Sequence, residues 1–134
     1  MAIRVISVRS SGVSERVVIG LAKKAARAMN RPEDDIAVVF TNANAMRKLN
    51  HAYRGKDRTT DVLSFPADAE GELGDIFIAP VVARVKAEER GVGYREYLAL
   101  LIVHSVLHLG GYDHHAEKEV AAMARMENKI LKSF

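Results

Sequence analysis

VLSFPADAEGELGDIFIAP, residues 62–80, is where strands give way to helices in this chain. VLSFP (62–66) reads as a strand closed by proline, since β-branched and aromatic residues suit a pleated sheet and proline cannot continue its ladder. ADAEGELG (67–74) reads as a turn leading into a second strand, DIFIA (75–79), with Asp75 opening that strand and satisfying backbone donors. From Pro80 onward the apolar residues recur at helical spacing, which predicts helices over 80–90, 94–109 and 115–132.

Before residue 62 the two kinds of element alternate. IRVISV (3–8) is a strand, and SERVVIGLAKKAARAM (14–29) a helix with Val17, Leu21, Ala25 and Ala28 on one face and Ser14 placed to cap it. NRP (30–32) breaks that helix, and IAVVFT (36–41) is a continuously apolar strand covered on both faces. NANAMRKLNHAY (42–53) is a helix with Met46, Leu49 and Tyr53 on one side, followed by the charged loop YRGKDRTTD (53–61). Strands and helices thus intermix, which predicts an α+β fold: a small mixed β-sheet packed with about five helices. With no repeat, linker or low-complexity segment, residues 1–134 read as a single domain.

Composition narrows the chemistry. There is no cysteine, so thiolate metal sites and cysteine nucleophiles are excluded, and the chain suits a reducing cytoplasm. The N-terminal stretch lacks the apolar core of a signal peptide, and no apolar run approaches the ~20 residues that span a bilayer. We expect a cytoplasmic protein with no membrane partner. Lys and Arg outnumber Asp and Glu by 20 to 17, which is compatible with an anionic partner such as RNA without singling one out.

HSVLHLGGYDHH (104–115) holds four of the five histidines, at the end of an apolar helix in the C-terminal half. Residues four apart share a helix face, so His104 and His108 can point at one metal ion. Gly110 can take the left-handed conformation that stops a helix, and Gly111 lets the chain turn back closely, bringing His114 to the same ion. Three neutral imidazoles leave one tetrahedral position open for water, the arrangement of catalytic zinc, one ion per chain. Ordinary polar residues at a helix end are the alternative; the three spacings together favour the metal. His115 should diverge from His114, and His51 reads as a surface histidine. Asp113 could orient a ligand imidazole or cap the last helix. Metzincin peptidases share the spacing as H-E-x-x-H-x-x-G-x-x-H, but Ser105 stands where their glutamate acts as general base, which disfavours peptidase chemistry.

HSVLHLGGYDH (104–114) is similar to the H-G-x-L-H-L-x-G-Y-D-H signature of the YbeY family, bacterial rRNA maturation factors regarded as metal-dependent endoribonucleases. LNHAYRGKDRTTDVLSFP (49–66) resembles that family's L-N-x-x-Y-R-x-x-D-x-P-T-D-V-L-S-F-P block, and LGDIFI (73–78) its G-D-I strand. The blocks fall in family order, and with the intervening helices the resemblance covers essentially the whole chain. Two positions depart: Ser105 replaces Gly, adding bulk beside the histidine helix, and Thr59 replaces Pro, which should loosen the loop before Asp61.

The resemblance implies a zinc site of His104, His108 and His114, with Arg54 and His114 as catalytic residues. It implies a substrate of single-stranded RNA in a ribosomal RNA precursor, at the 16S rRNA 3′ end, together with ribosome quality control. Small-subunit and assembly-factor partners follow from it, and DNA does not. Arg54 can stabilise charge on a phosphate bidentately; without the resemblance it would read as a helix-end arginine on the dipole. Lys56 and Arg58 suit RNA phosphate contacts, or are solvated loop charges. Thr60, Asp61 and Ser64 read as turn and strand-start hydrogen bonders, and Met123 and Met126 as core. Few aromatics mean weak base stacking and slight sequence preference. The competing functions are a metal-dependent hydrolase of another substrate, such as a metzincin-like peptidase, and a ribosome assembly factor with a structural zinc.

Overall fold

The computed structural model describes residues 2–112 and 117–132. In chain order it contains β1 (Ile3–Ile6), a 3-10 turn (Val8–Ser11), α1 (Glu15–Ala28), β2 (Asp35–Phe40), α2 (Ala43–Arg54), β3 (Val62–Pro66), β4 (Glu72–Ile78), α3 (Pro80–Glu89), α4 (Tyr94–Leu109) and α5 (Glu117–Leu131). The sheet order is β1-β2-β4-β3. β2 pairs in parallel with β1 and β4, while β3 runs antiparallel to β4. This is the α+β fold with a small mixed sheet that the patterns predict. No helix among the described residues is long and apolar enough to cross a membrane.

Local chemistry explains most boundaries. The Ser14 hydroxyl accepts from the Val17 amide at 3.2 Å, so α1 starts at the cap read from sequence. The buried face of α1 is Val18, Leu21, Ala22, Ala25 and Ala26, which leaves Val17 half-buried and Ala28 exposed. β1 ends two residues earlier than IRVISV suggests, because Ser7 takes a left-handed φ of 58° and turns the chain into the 3-10 turn. β4 begins at Glu72 rather than Asp75, with a register shift opposite Asp35 and Ile36. Gly74 permits this: its φ is +142°, and a Cβ there would strike the Phe65 carbonyl oxygen. Asp75 therefore lies in mid-strand with its side chain exposed, instead of opening the strand.

α2 is capped by Asn42, whose side-chain oxygen accepts from the Ala45 amide at 2.7 Å. It buries Met46 and Asn50 and half-buries Leu49. Tyr53 departs from expectation and is 69% exposed. The small core beneath α2, formed by Met46, Leu63 and Ala79, does not include Tyr53, whose ring packs edge-to-face with Phe65 at a centroid distance of 5.3 Å.

α4 is the central helix. Ten of its sixteen residues are buried, and it packs against α1, α3, α5, β3 and β4. Met123 is buried in the same core and Met126 packs against it, as read from sequence. The glycine pair after α4 exchanges the roles expected of it. Gly111 has the positive φ, +102°, whereas Gly110 sits at φ −79° and makes the close approach, since a Cβ there would meet the Met29 sulfur.

Candidate active site

The site has two parts: a histidine pair on α4, and a basic cleft lined by α2, the loop after it, β3 and α3. His104 and His108 lie one helical turn apart near the C-terminal end of that helix, each half-buried. His104 Nδ1 lies 2.5 Å from a carboxylate oxygen of Glu127 on α5. A carboxylate only accepts, so Nδ1 carries the proton, and Nε2 is the atom that would ligate a metal. His108 Nδ1 is buried. His114, His115 and Asp113 lie outside the described residues. Among the described residues no group of three or more His, Asp or Glu side chains could hold a metal. Two of the three expected ligands lie one turn apart on a largely buried helix, the spacing at which two imidazoles can reach one ion. Ser105 between them is buried in the helix packing.

Arg54, the last residue of α2, donates from its guanidinium to the Ser64 carbonyl at 3.1 Å, tying α2 to β3. Arg54, Lys56 and Arg58 come together around one cleft of about 410 Å³, so the three basic residues singled out in the sequence do share a surface. The histidine pair is not part of that cleft's lining. The loop between α2 and β3 is folded back on the helix by several contacts. Buried Asn50 donates to the Arg58 carbonyl at 2.8 Å, and Arg47 makes two bonds to Asp57, at 2.8 and 3.2 Å. The Arg47 hydrogen bond and charge hold Asp57 below the usual carboxylate range, and Asp57 raises Arg47 in return. The Thr59 hydroxyl donates to the Ala43 carbonyl at 2.9 Å, so threonine in place of proline ties this loop down where loosening was expected.

A fourth cation, Lys86 of α3, lines the same cleft, and no local pattern marks it. Its ammonium lies 3.4 Å from Asp61. Asp61 is buried and accepts from the Tyr97 hydroxyl at 2.6 Å and from Thr60 at 3.4 Å, so it is a hydrogen bonder at the start of β3, as expected. Burial, then the bond to Asp61 and its negative charge, push the Tyr97 phenol up to about 12. Tyr97 and His104 are seven residues apart on α4, hence on one stripe of the helix and about 10 Å apart along its axis. The support of the cleft and the first histidine therefore share one rigid body. A lysine 25 residues downstream of its aspartate has no local signature; only the packing of α3 and α4 around Asp61 reveals it. Glu127 is likewise an ordinary charged residue on an amphipathic helix until α5 is docked.

Comparison with known proteins places the chain in a family. The family model for endoribonuclease YbeY matches residues 7–134. A protein of Persephonella marina named endoribonuclease YbeY is 34% identical over 128 residues, covering 90% of this chain and 84% of the relative. One from Stenotrophomonas maltophilia with the same name is 48% identical over 109 residues, covering 74% of this chain and 67% of the relative. A Thermotoga maritima protein solved in solution superposes with a TM-score of 0.69 at 24% identity, covering 98% of this chain and 90% of its own, which supports the fold. The chain belongs to the endoribonuclease YbeY family and is by that membership an enzyme of the nuclease class.

Proposed function

We propose that this chain is a zinc-dependent, single-strand-specific endoribonuclease acting in ribosomal RNA maturation in the cytoplasm. The work includes 16S rRNA 3′-end processing and ribosome quality control, with the small subunit and assembly factors as partners. The observation that carries the reading is the convergence of four cations, Arg54, Lys56, Arg58 and Lys86, on one cleft whose support shares α4 with His104 and His108. Such a cleft suits a run of phosphates, and a single strand can splay its backbone into it.

Each residue has a role that follows from its chemistry. Arg54 presents a planar fork to the scissile phosphate and stabilises charge that develops on its non-bridging oxygens. Lys56, Arg58 and Lys86 hold flanking phosphates and fix the register of the strand. His104, His108 and His114 would hold the zinc, which when bound supplies Lewis acidity to water and phosphate. Ser105, where a metzincin has glutamate, cannot serve as a carboxylate base, which separates this site from peptidase chemistry.

The test is incubation of metal-defined protein with an end-labelled ribosomal RNA precursor, followed by analysis of product ends. Wild-type protein should cut internally, and Arg54→Ala should keep its fold and zinc while losing about 10²–10³-fold in rate, the scale of losing one oxyanion donor. An intact precursor with the zinc-loaded wild-type chain, or wild-type turnover in Arg54→Ala, would refute the assignment.

A further inference from the structure

We infer that Glu127 is a positioning residue for the metal centre, fixing the tautomer and orientation of the His104 ring; this rests on the zinc reading above. The family blocks recognisable in the sequence end at His114, so Glu127 lies outside them. Its place in the fold makes it unusual. Met123 and Ile130 on α5 are buried in the core that α4 shares, and Glu127 falls between them on that inward stripe. Its side chain is only 14% exposed. A carboxylate turned toward an apolar core is costly without a partner, and the partner it meets is His104 Nδ1, at 2.5 Å.

The chemistry of that contact is directional. A zinc ligand must offer an unprotonated nitrogen. An imidazole held through Nδ1–H by a carboxylate carries its lone pair on Nε2, with the ring's rotation fixed. Glu127 thus prepares His104 before any metal arrives. It also makes α5 part of the metal centre, although α5 supplies no ligand in this assignment. A plain helix-to-helix ion pair would predict none of this for zinc.

The experiment compares wild-type, Glu127→Gln and Glu127→Ala chains by chelator competition for zinc. Imidazole nitrogen NMR of the metal-free proteins, at a pH where the ring is neutral, is recorded alongside. Wild type should show His104 as the Nδ1–H tautomer. Both variants should bind zinc about 10–100-fold more weakly at unchanged secondary structure, and in Glu127→Ala, which removes the acceptor, the His104 ring should lose its single tautomer. Zinc affinity within about twofold of wild type in the variants, with the wild-type chain loaded, overturns the role of Glu127 alone. A wild-type chain that takes up no zinc refutes the metal reading itself, and the inference with it. If alanine at this position prevents folding, the isosteric Glu127→Gln, which removes the charge, carries the zinc-affinity readout.

Discussion

Replacing Tyr97 with Phe removes one hydroxyl from the support beneath the basic cleft and little else. That hydroxyl donates to buried Asp61 at 2.6 Å, and Asp61 keeps only its longer 3.4 Å contacts with Thr60 and Lys86 to offset the loss. A hydrogen bond to a charged group contributes about 1.5–3 kcal/mol, so Tyr97→Phe should lose about that much stability at neutral pH. The pH dependence supplies an independent check. Burial first, and Asp61 second, raise the phenol from 10.0 to about 12, so the folded state holds this proton more tightly than the unfolded state. The resulting stabilisation is fully present below pH 10 and is lost as pH rises through about 12; its upper limit is about 2.7 kcal/mol. The Phe variant has no phenol to titrate, so the stability gap between the two proteins should be constant below pH 10 and narrow above it. Urea unfolding followed by circular dichroism, on both sides of pH 10, measures the gap directly. A gap below about 0.5 kcal/mol at neutral pH, the range of an indifferent substitution, would refute the pairing. So would a gap that fails to narrow in alkali.

Three further outcomes are expected. Lys86→Ala should weaken binding of single-stranded RNA and flatten its dependence on log salt by about 0.7, one phosphate contact; an unchanged slope would exclude Lys86 from the interface. Wild-type chain should bind one zinc, and His104→Ala, His108→Ala and His114→Ala should each lose it by metal analysis; full occupancy in any of them removes that ligand. Gly110→Ala places a methyl against the Met29 sulfur, the movable end of a flexible and half-buried side chain, and should cost less than about 1 kcal/mol. The cost should shrink in a Met29→Ala background, and strictly additive effects would show that the two do not touch.

How much of this could be read from the sequence depends on how local each cause is. The cap at Ser14, the strand VLSFP, and the helix that carries both His104 and His108 rest on residues within a few positions of one another, and all appear as read. Arg54 ends α2, and Lys56 and Arg58 lie on the short loop that follows, so their convergence was legible as well. What failed was long-range or steric. The start of β4 depends on Gly74 passing close beneath Phe65, and the exposure of Tyr53 depends on where a neighbouring core ends. The roles of Gly110 and Gly111 are exchanged because Met29, on another element, occupies the space beside the first. Lys86 and Glu127 were invisible for the same reason: each acquires meaning only from a partner that tertiary packing supplies, Asp61 in one case and His104 in the other. Thr59 was misjudged because its hydroxyl has a specific acceptor on α2, which no substitution pattern reveals.

The burial of α4 on nearly all sides has a consequence for how the site moves. Amides in a helix so enclosed exchange with solvent only when the whole domain opens, so deuterium uptake along residues 97–109 should track global unfolding. The loop that carries Lys56 and Arg58 is exposed and tethered by contacts such as the Arg47–Asp57 pair, and its amides should exchange far sooner. The two parts of the proposed site would then keep different clocks. The histidine pair would stay fixed for the lifetime of the fold, while the surface that receives a flexible strand could breathe and reclose many times within it.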